Sequence, residues 1–359
     1  MTFERMADAA IGMVEQGWVP DTVVRAGIRR LCEHRLRGLV PPAGESHEEQ
    51  RERFIRDLQI ADVAPLPDRA NEQHYEVPAK LFRLMLGPQM KYSCCWWDAG
   101  VRTLADAEGA ALDRTAVRAG IQNGMRILEL GCGWGSLSLW MASRFPSSQI
   151  VGVSNSASQR LFRAREAARL GLSNLEVVTA DMNAFVPVGR FDRIVSVEMF
   201  EHMRNYHVLL GRIAGWLAPG GRLFVHVFCH RRSPYFFEDK GAGDWMARHF
   251  FSGGLMPSAD LLPSVPSPLA LERQWLWDGR HYERTANAWL ANLDGNRGAA
   301  LEVLAATYGP GDAARWLGRW RIFFMACAEL FGYAEGQEWG VAHYRFAPAS
   351  EGRRFEVAS

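Results

Sequence analysis

Between Trp18 and Leu39 the apolar residues Val23, Val24, Ile28, Leu31 and Leu36 recur near the helical period, which predicts an amphipathic helix. Residues 1–60 read as helical on the same ground. The polar, charged stretch from Pro41 to Arg53 reads instead as a linker or exposed turn. A second helical stretch, Glu49 to Ala61, ends before Pro65 and Pro67, and ANEQHYEVPAKLFRLMLGP reads as a loop entering a short helix. Asp106 to Ala119 is again amphipathic. From Met125 the pattern changes to short apolar runs alternating with helical segments. MRILELG, QIVGVSNS, LEVVTAD, FDRIVSVEMF and RLFVHVF read as buried strands; SLSLWMASRF, SASQRLFRAREAARLGL and HMRNYHVLLGRIAGWL read as the helices between them. Strands alternating with helices predict an α/β fold with a mostly parallel sheet and helices on both faces. Residues 230–280, rich in aromatics, Gly and Pro, read as an excursion over the carboxyl edge of that sheet. Residues 285–335 are helical, and WGVAHYRF reads as a last strand.

These shifts divide the chain. Residues 1–120 form a helical region and lid, 121–230 a sheet core, 231–338 a helical and aromatic cap, and 339–359 a final strand and tail.

Composition narrows the function classes. The chain has 359 residues, 48% of them hydrophobic, enough for one large domain or one with additions. Its net charge of +1 carries no footprint for nucleic acid or an anionic membrane. No apolar run approaches a membrane span. The start MTFERMADAAIGM has no apolar core of signal-peptide type, so a cytoplasmic location is expected. Six cysteines without zinc spacing read as free thiols, and no metal site is expected.

The chemistry begins at Glu129-Leu130-Gly131-Cys132-Gly133-Trp134-Gly135, where three glycines leave a strand and enter a helix. Such a turn lets a ligand approach the backbone. The third glycine of a dinucleotide fingerprint would fall at Ser136, so that fingerprint is not met.

ILELGCGWGSL resembles the first motif of class I S-adenosylmethionine (SAM)-dependent methyltransferases. Further stations follow in order: Ser154 ending strand two, Asp181 ending strand three, FDRIVS in strand four and LAPGGRL before strand five. ANEQHYEVP, KYSCCWW, VSNSASQ, VEMFEHM and FFSGGLMPS resemble the cyclopropane-fatty-acyl-phospholipid synthase superfamily from about residue 70 to 346, nearest its plant coclaurine N-methyltransferase branch. The resemblance implies a Rossmann-like class I methyltransferase fold. Its sheet would be mostly parallel and seven-stranded, with an N-terminal helical extension and a helical substrate-binding cap. It also implies SAM as cofactor, S-adenosylhomocysteine (SAH) as product, and a SAM site. Glu129 would attract the SAM amino group, Gly131 and Gly133 form the turn, and Ser154 and Gln159 hold the ribose and methionine parts. Asp181 and Met182 would flank adenine, and Tyr75, Tyr92 and Ser93 close over the cofactor.

VEMFEHM places Glu198, Glu201 and His202 at the end of strand four. With helical spacing the three share one face and form a coupled proton-accepting cluster. Each acid alone reads equally well as a helix-start residue favoured by the macrodipole. The lipid cyclopropane synthases have Gly at position 198 and bind bicarbonate with residues matching Cys94, Glu201, His226 and Tyr282. The coclaurine-type enzymes carry this chain's Glu-Met-Phe-Glu-His run. The resemblance therefore implies Glu198 and His202 as catalytic pair, with Glu201 in support. Thirteen Trp and 19 Phe offer walls for a flat amine. Trp245, Phe250, Phe251, Met256, Phe323, Phe324 and Phe331 are candidates for these walls, and Glu329 is a candidate polar anchor.

The expected function is SAM-dependent N-methylation of a small, aromatic or cyclic amine. One alternative is a lipid-modifying synthase using SAM, bicarbonate and membrane lipid; a remote one is a non-catalytic SAM-binding protein. A homodimer is compatible with the sequence.

Overall fold

In the computed structural model, residues 3–65, 78–238, 241 and 244–349 are described. The elements run α1 (Phe3–Glu15), α2 (Asp21–Leu39), α3 (His47–Gln59), α4 (Ala79–Met85), α5 (Leu104–Ala119), β1 (Arg126–Leu130), α6 (Ser136–Arg144), β2 (Gln149–Ser154), α7 (Ala157–Arg169), β3 (Leu175–Thr179), β4 (Phe191–Val197), α8 (Tyr206–Trp216) and β5 (Leu217–His230). A small hairpin, β6 (Tyr235–Phe236) with β7 (Leu255–Met256), encloses α9 (Trp245–His249). Then follow α10 (Leu261–Ser264), β8 (Leu269–Asp278), α11 (Arg280–Gly295), α12 (Arg297–Tyr308), α13 (Ala313–Gly332) and β9 (Trp339–Pro348).

The main sheet has seven strands in the order β3-β2-β1-β4-β5-β9-β8. β1 to β5 pair in parallel, while β9 joins β5 and β8 joins β9 antiparallel. The order reverses beside β1, so β1 and β4 part their following loops and open a crevice at their carboxyl ends. Apolar side chains on both sheet faces form two cores. A third packs the cap helices α11 to α13 against α2 and α4.

Three boundaries differ from the sequence expectation. The charged stretch after Pro41 is mostly helix: Ser46 and Glu49 form a reciprocal capping box that starts α3 at His47. Strand β8 lies inside the expected excursion. A register shift between Leu271 and Arg273 breaks its alternation, and its edge position leaves Leu276 exposed. Finally, the segment after β4 is not yet helix. It makes a short 3₁₀ turn over Phe200–His202, and α8 begins at Tyr206, capped by the Asn205 side chain accepting from Val208 N–H. Among the described residues no helix is long and apolar enough to cross a membrane.

Candidate active site

The crevice is lined by two contiguous sets of residues that share Gly131, Gly133, Gln159 and Glu198. One side holds Ser154, Asn155, Asp181, Met182, Met199 and His202. The other holds Lys91, Tyr92, Ser93, Glu129, Trp134 and Ser136. The turn between β1 and α6 has positive φ at Gly131, Gly133 and Gly135. A Cβ on Gly131 would lie 2.6 Å from Met199 Cβ, whereas one on Gly133 would point into open space. Ser154 Oγ donates to Gln159 Oε1 at 2.8 Å, which fixes the Gln159 amide with its Nε2 unpartnered. Ser136 Oγ and Trp134 Nε1 are likewise buried without partners. Glu129 accepts from Ser138 Oγ. Burial pushes its carboxyl up to about 7, against the opposing pull of Ser138 and Arg163. A row of unpartnered donors around glycine backbone suits a ligand rich in acceptors, and a buried carboxylate suits its ammonium group. SAM carries both, so the residues present fit it.

Glu198 stands where the two halves meet. Its φ of 47° is left-handed, a conformation rare for a side-chain-bearing residue. That turn directs its carboxylate into a cradle of three donors. Cys94 N–H donates to Oε1 at 2.9 Å, His226 Nε2 lies 3.2 Å from Oε1, and Tyr282 O–H donates to Oε2 at 2.7 Å. Burial raises its pKa, but the His226 bond, Lys91 and the Cys94 amide outweigh this and hold it below the usual range. Glu201 behaves oppositely. Burial, then the Glu198 charge, pushes it well above the usual range, although Phe228 N–H donates to its Oε1 at 2.9 Å. Burial lowers His202 to about 4 against the upward pull of Glu198, and lowers His226 against its bond to Glu198. At neutral pH the site therefore holds one carboxylate, one carboxylic acid and uncharged imidazoles.

Aromatic rings connect these groups. His202 stacks on Phe251 at 5.0 Å, Phe251 meets Phe228 at 5.5 Å, and Phe228 meets Phe331 at 6.1 Å. Phe331 stacks on Tyr282 at 4.2 Å, which closes the arc back to Glu198.

Comparison with known proteins gives this geometry a family. Residues 67–337 match the family described as mycolic acid cyclopropane synthetase. The chain belongs to that family. Within it, the chain is 34% identical over 337 residues to (S)-coclaurine N-methyltransferase of Thalictrum flavum subsp. glaucum, covering 93% of each. It is 35% identical to the enzyme of that name from Papaver somniferum, covering 93% of this chain and 96% of that one. A crystal structure of coclaurine N-methyltransferase bound to N-methylheliamine and SAH superposes with a TM-score of 0.90 at 32% identity, covering 93% and 97% of the two chains. The cyclopropane-fatty-acyl-phospholipid synthase of Escherichia coli (strain K12) is 29% identical, covering 90% of this chain and 77% of that one.

Several sequence expectations for this family member change on the structure. Glu198, Glu201 and His202 do not share a helix face: a left-handed residue and a 3₁₀ turn separate them, and the two acids face different backbone donors. Glu329, the candidate polar anchor, is engaged by arginines of α2. It accepts from Arg25 at 2.8 Å and Arg29 at 2.6 Å and ties α13 to α2. Trp245, Phe250 and Phe324 are core: Trp245 Nε1 donates to Glu15, Phe250 stacks on Phe323, and Phe324 packs on Trp289 and Trp320. Phe251 and Phe331, candidates from the aromatic content, are the ones beside the acid and imidazoles. Cys94 contributes its backbone N–H to Glu198, while its thiol points to Cys95 O at 3.5 Å. Tyr75 lies outside the described residues. Phe228 and His343 were not anticipated; the alternation of RLFVHVF and AHYRF is their only local signal.

Proposed function

We propose that Glu198 and His202 divide the work of N-methylation between them. The protein is a SAM-dependent N-methyltransferase of a small-molecule amine; the roles of its acids and imidazoles are our reading. SAM would supply an electrophilic methyl group on a sulfonium, whose thioether is already a good leaving group and needs little further activation. The crevice residues Gln159, Ser136, Glu129 and the Gly131–Gly133 turn hold the cofactor in place. Glu198, ionised, receives the substrate as its ammonium form and sets the charge of the nitrogen against its own. His202, uncharged and on the crevice wall, takes the ammonium proton; the nearby Glu198 charge supports the resulting imidazolium. The Phe251, Phe228, Phe331 and Tyr282 arc gives a cyclic or aromatic amine a stacking surface and orients its lone pair. Glu201, held uncharged, stays out of proton transfer and carries the Phe228 backbone.

The single observation supporting this assignment is the Glu198 cradle. Cys94 N–H, His226 and Tyr282 are spent on a side-chain carboxylate. In the bicarbonate-using lipid synthases that the sequence resembles, position 198 is Gly. Two anions in one cradle repel, so a bicarbonate-dependent lipid reaction fits this geometry poorly.

The test offers methyl-labelled SAM to a panel of cyclic secondary and tertiary amines and to vesicles of unsaturated phospholipid. Label on an amine nitrogen is expected. Label in acyl chains, with none in any amine, would overturn the assignment. His202→Asn is expected to lower kcat by about a hundredfold or more with SAH affinity kept.

A further inference from the structure

Behind Glu198 and its partner His226 a row of buried groups leads away from the crevice. His226 on β5 and His343 on β9 are cross-strand partners. His343 Nε2 lies 2.8 Å from His226 Nδ1, and Arg118 Nη1 lies 2.9 Å from His343 Nδ1. Trp277 covers both rings, at 5.3 Å from His226 and 4.4 Å from His343, and Arg118 lies over it at 5.6 Å. Four side chains from α5, β9, β5 and the end of β4 thus form one hydrogen-bonded line.

Chemistry fixes the direction of that line. A guanidinium has five N–H donors and no acceptor. His343 Nδ1 must therefore accept, which puts its one proton on Nε2. His226 Nδ1 must then accept in turn, which puts its proton on Nε2, facing Glu198. We propose that Arg118 is a positioning residue that sets the tautomers of His343 and His226 and thereby holds Glu198 as an ionised acceptor. The inference rests on the reading of Glu198 as the anionic end of the site. The polarity is opposite to a relay anchored at its buried end by a carboxylate, which would make the group at the crevice end a stronger base. Here the line delivers a donor to Glu198, so the carboxylate binds cations and does not take protons.

Both imidazoles must be uncharged for this logic. Burial lowers His226, and burial, His226 and Arg118 lower His343 far below its usual range. Burial with Arg114 and Arg273 brings Arg118 down to about 10, so it stays charged at neutral pH. Lys91 from the loop before α5, Cys94, Tyr282 on α11, Cys327 on α13, and Glu201 and His202 face Glu198. Lys91 and Arg114 also bear on His343. Only Arg118 among these reaches His343 Nδ1.

Long-range ¹H–¹⁵N correlation spectra of histidine-labelled enzyme test the tautomers directly. His226 and His343 are expected as Nε2–H forms in the wild type, and Arg118→Met is expected to release at least His343 into a mixture. The kcat profile of the wild type is expected to be flat down to about pH 5, and Arg118→Met to bring an acid limb up by about one unit as Glu198 begins to titrate. Arg118→Lys keeps a donor and is expected to restore the profile. Arg114→Met removes a nearby charge that stacks on Trp96 and is expected to leave it unchanged. An Nδ1–H form of either histidine in the wild type overturns the proposal. So does an unmoved limb in a folded, SAH-binding Arg118→Met, or an equal shift in Arg114→Met. If the tautomers hold while Glu198→Gln keeps full activity, the line stands and the role given to Glu198 falls.

Discussion

Glu198 shows how one side chain decides a chemistry. It carries a positive φ that a glycine would take without strain and a buried charge that water would solvate better. Three donors offset both costs. Glu198→Gly should therefore fold, since the glycine fits φ 47°, and should empty the cradle. Its kcat is expected to fall by about a hundredfold or more. Millimolar formate or bicarbonate is expected to restore part of the loss by placing a small anion between Cys94 N–H, His226 and Tyr282. Wild-type activity without added anion would sink the cradle argument. The pH dependence follows from the same residues. Glu198, depressed, is ionised and active above its folded pKa and loses this only in acid, and His202 gains a proton only near about 4. No activity limb from either group is expected between pH 6 and 8. A bell-shaped kcat profile centred in that window, measured under saturating substrate, would contradict the assignment. The two acids and one imidazole of VEMFEHM were legible as a cluster because of their residue types. Their division into charged and uncharged members was not, since it depends on which backbone N–H each one reaches.

Elements explain what the sequence left ambiguous about the cap. α2 lies on α13 and is tied there by Arg25 and Arg29 to Glu329 and by Asp21 to Arg321, which also pairs with Asp294. An acid in an apolar helix is a natural suspect for substrate binding, and at position 329 helical phase turns it toward α2, where Arg25 and Arg29 hold it. Glu329→Gln is expected to lower stability by about 1 kcal/mol, because both arginines are partly solvated, with no change in KM for the amine. Denaturant midpoints and steady-state kinetics check the two halves separately, and a raised KM at unchanged stability would return Glu329 to the substrate site. Neighbours 250 and 251 part where the chain leaves α9. Phe250 enters the core against Phe323, and Phe251 turns toward His202. Composition located the aromatic segment, but both residues follow the five-residue α9, where there is no helical phase to read.

For the whole molecule, the crevice and the line behind it join groups from the first third of the chain to its last strand. Ligand linkage makes that testable. SAH at a hundred times its Kd is expected to add about 2.7 kcal/mol to unfolding. Glu129 titrates near about 7 because burial raises it. On the proposed pairing with the cofactor ammonium it acts in its ionised form, so SAH affinity is expected to rise from pH 6 to 8. Glu129→Gln is expected to weaken binding and flatten that rise; calorimetry showing the same pH dependence in the variant would reject the pairing. The chain by itself determined the α/β order, the glycine turn at 131–135 and the acid-histidine run after β4. Each of these is written in local periodicity or in residue types that only one backbone conformation tolerates. Tertiary structure alone decided that β9 runs antiparallel against β5, setting His343 beside His226, and that β8 closes the edge. It also decided that Glu198 lies between Cys94, His226 and Tyr282, residues 104, 28 and 84 positions away. No local pattern encodes such meetings, because protonation and hydrogen bonding depend on burial and on partners that only the folded sheet brings together.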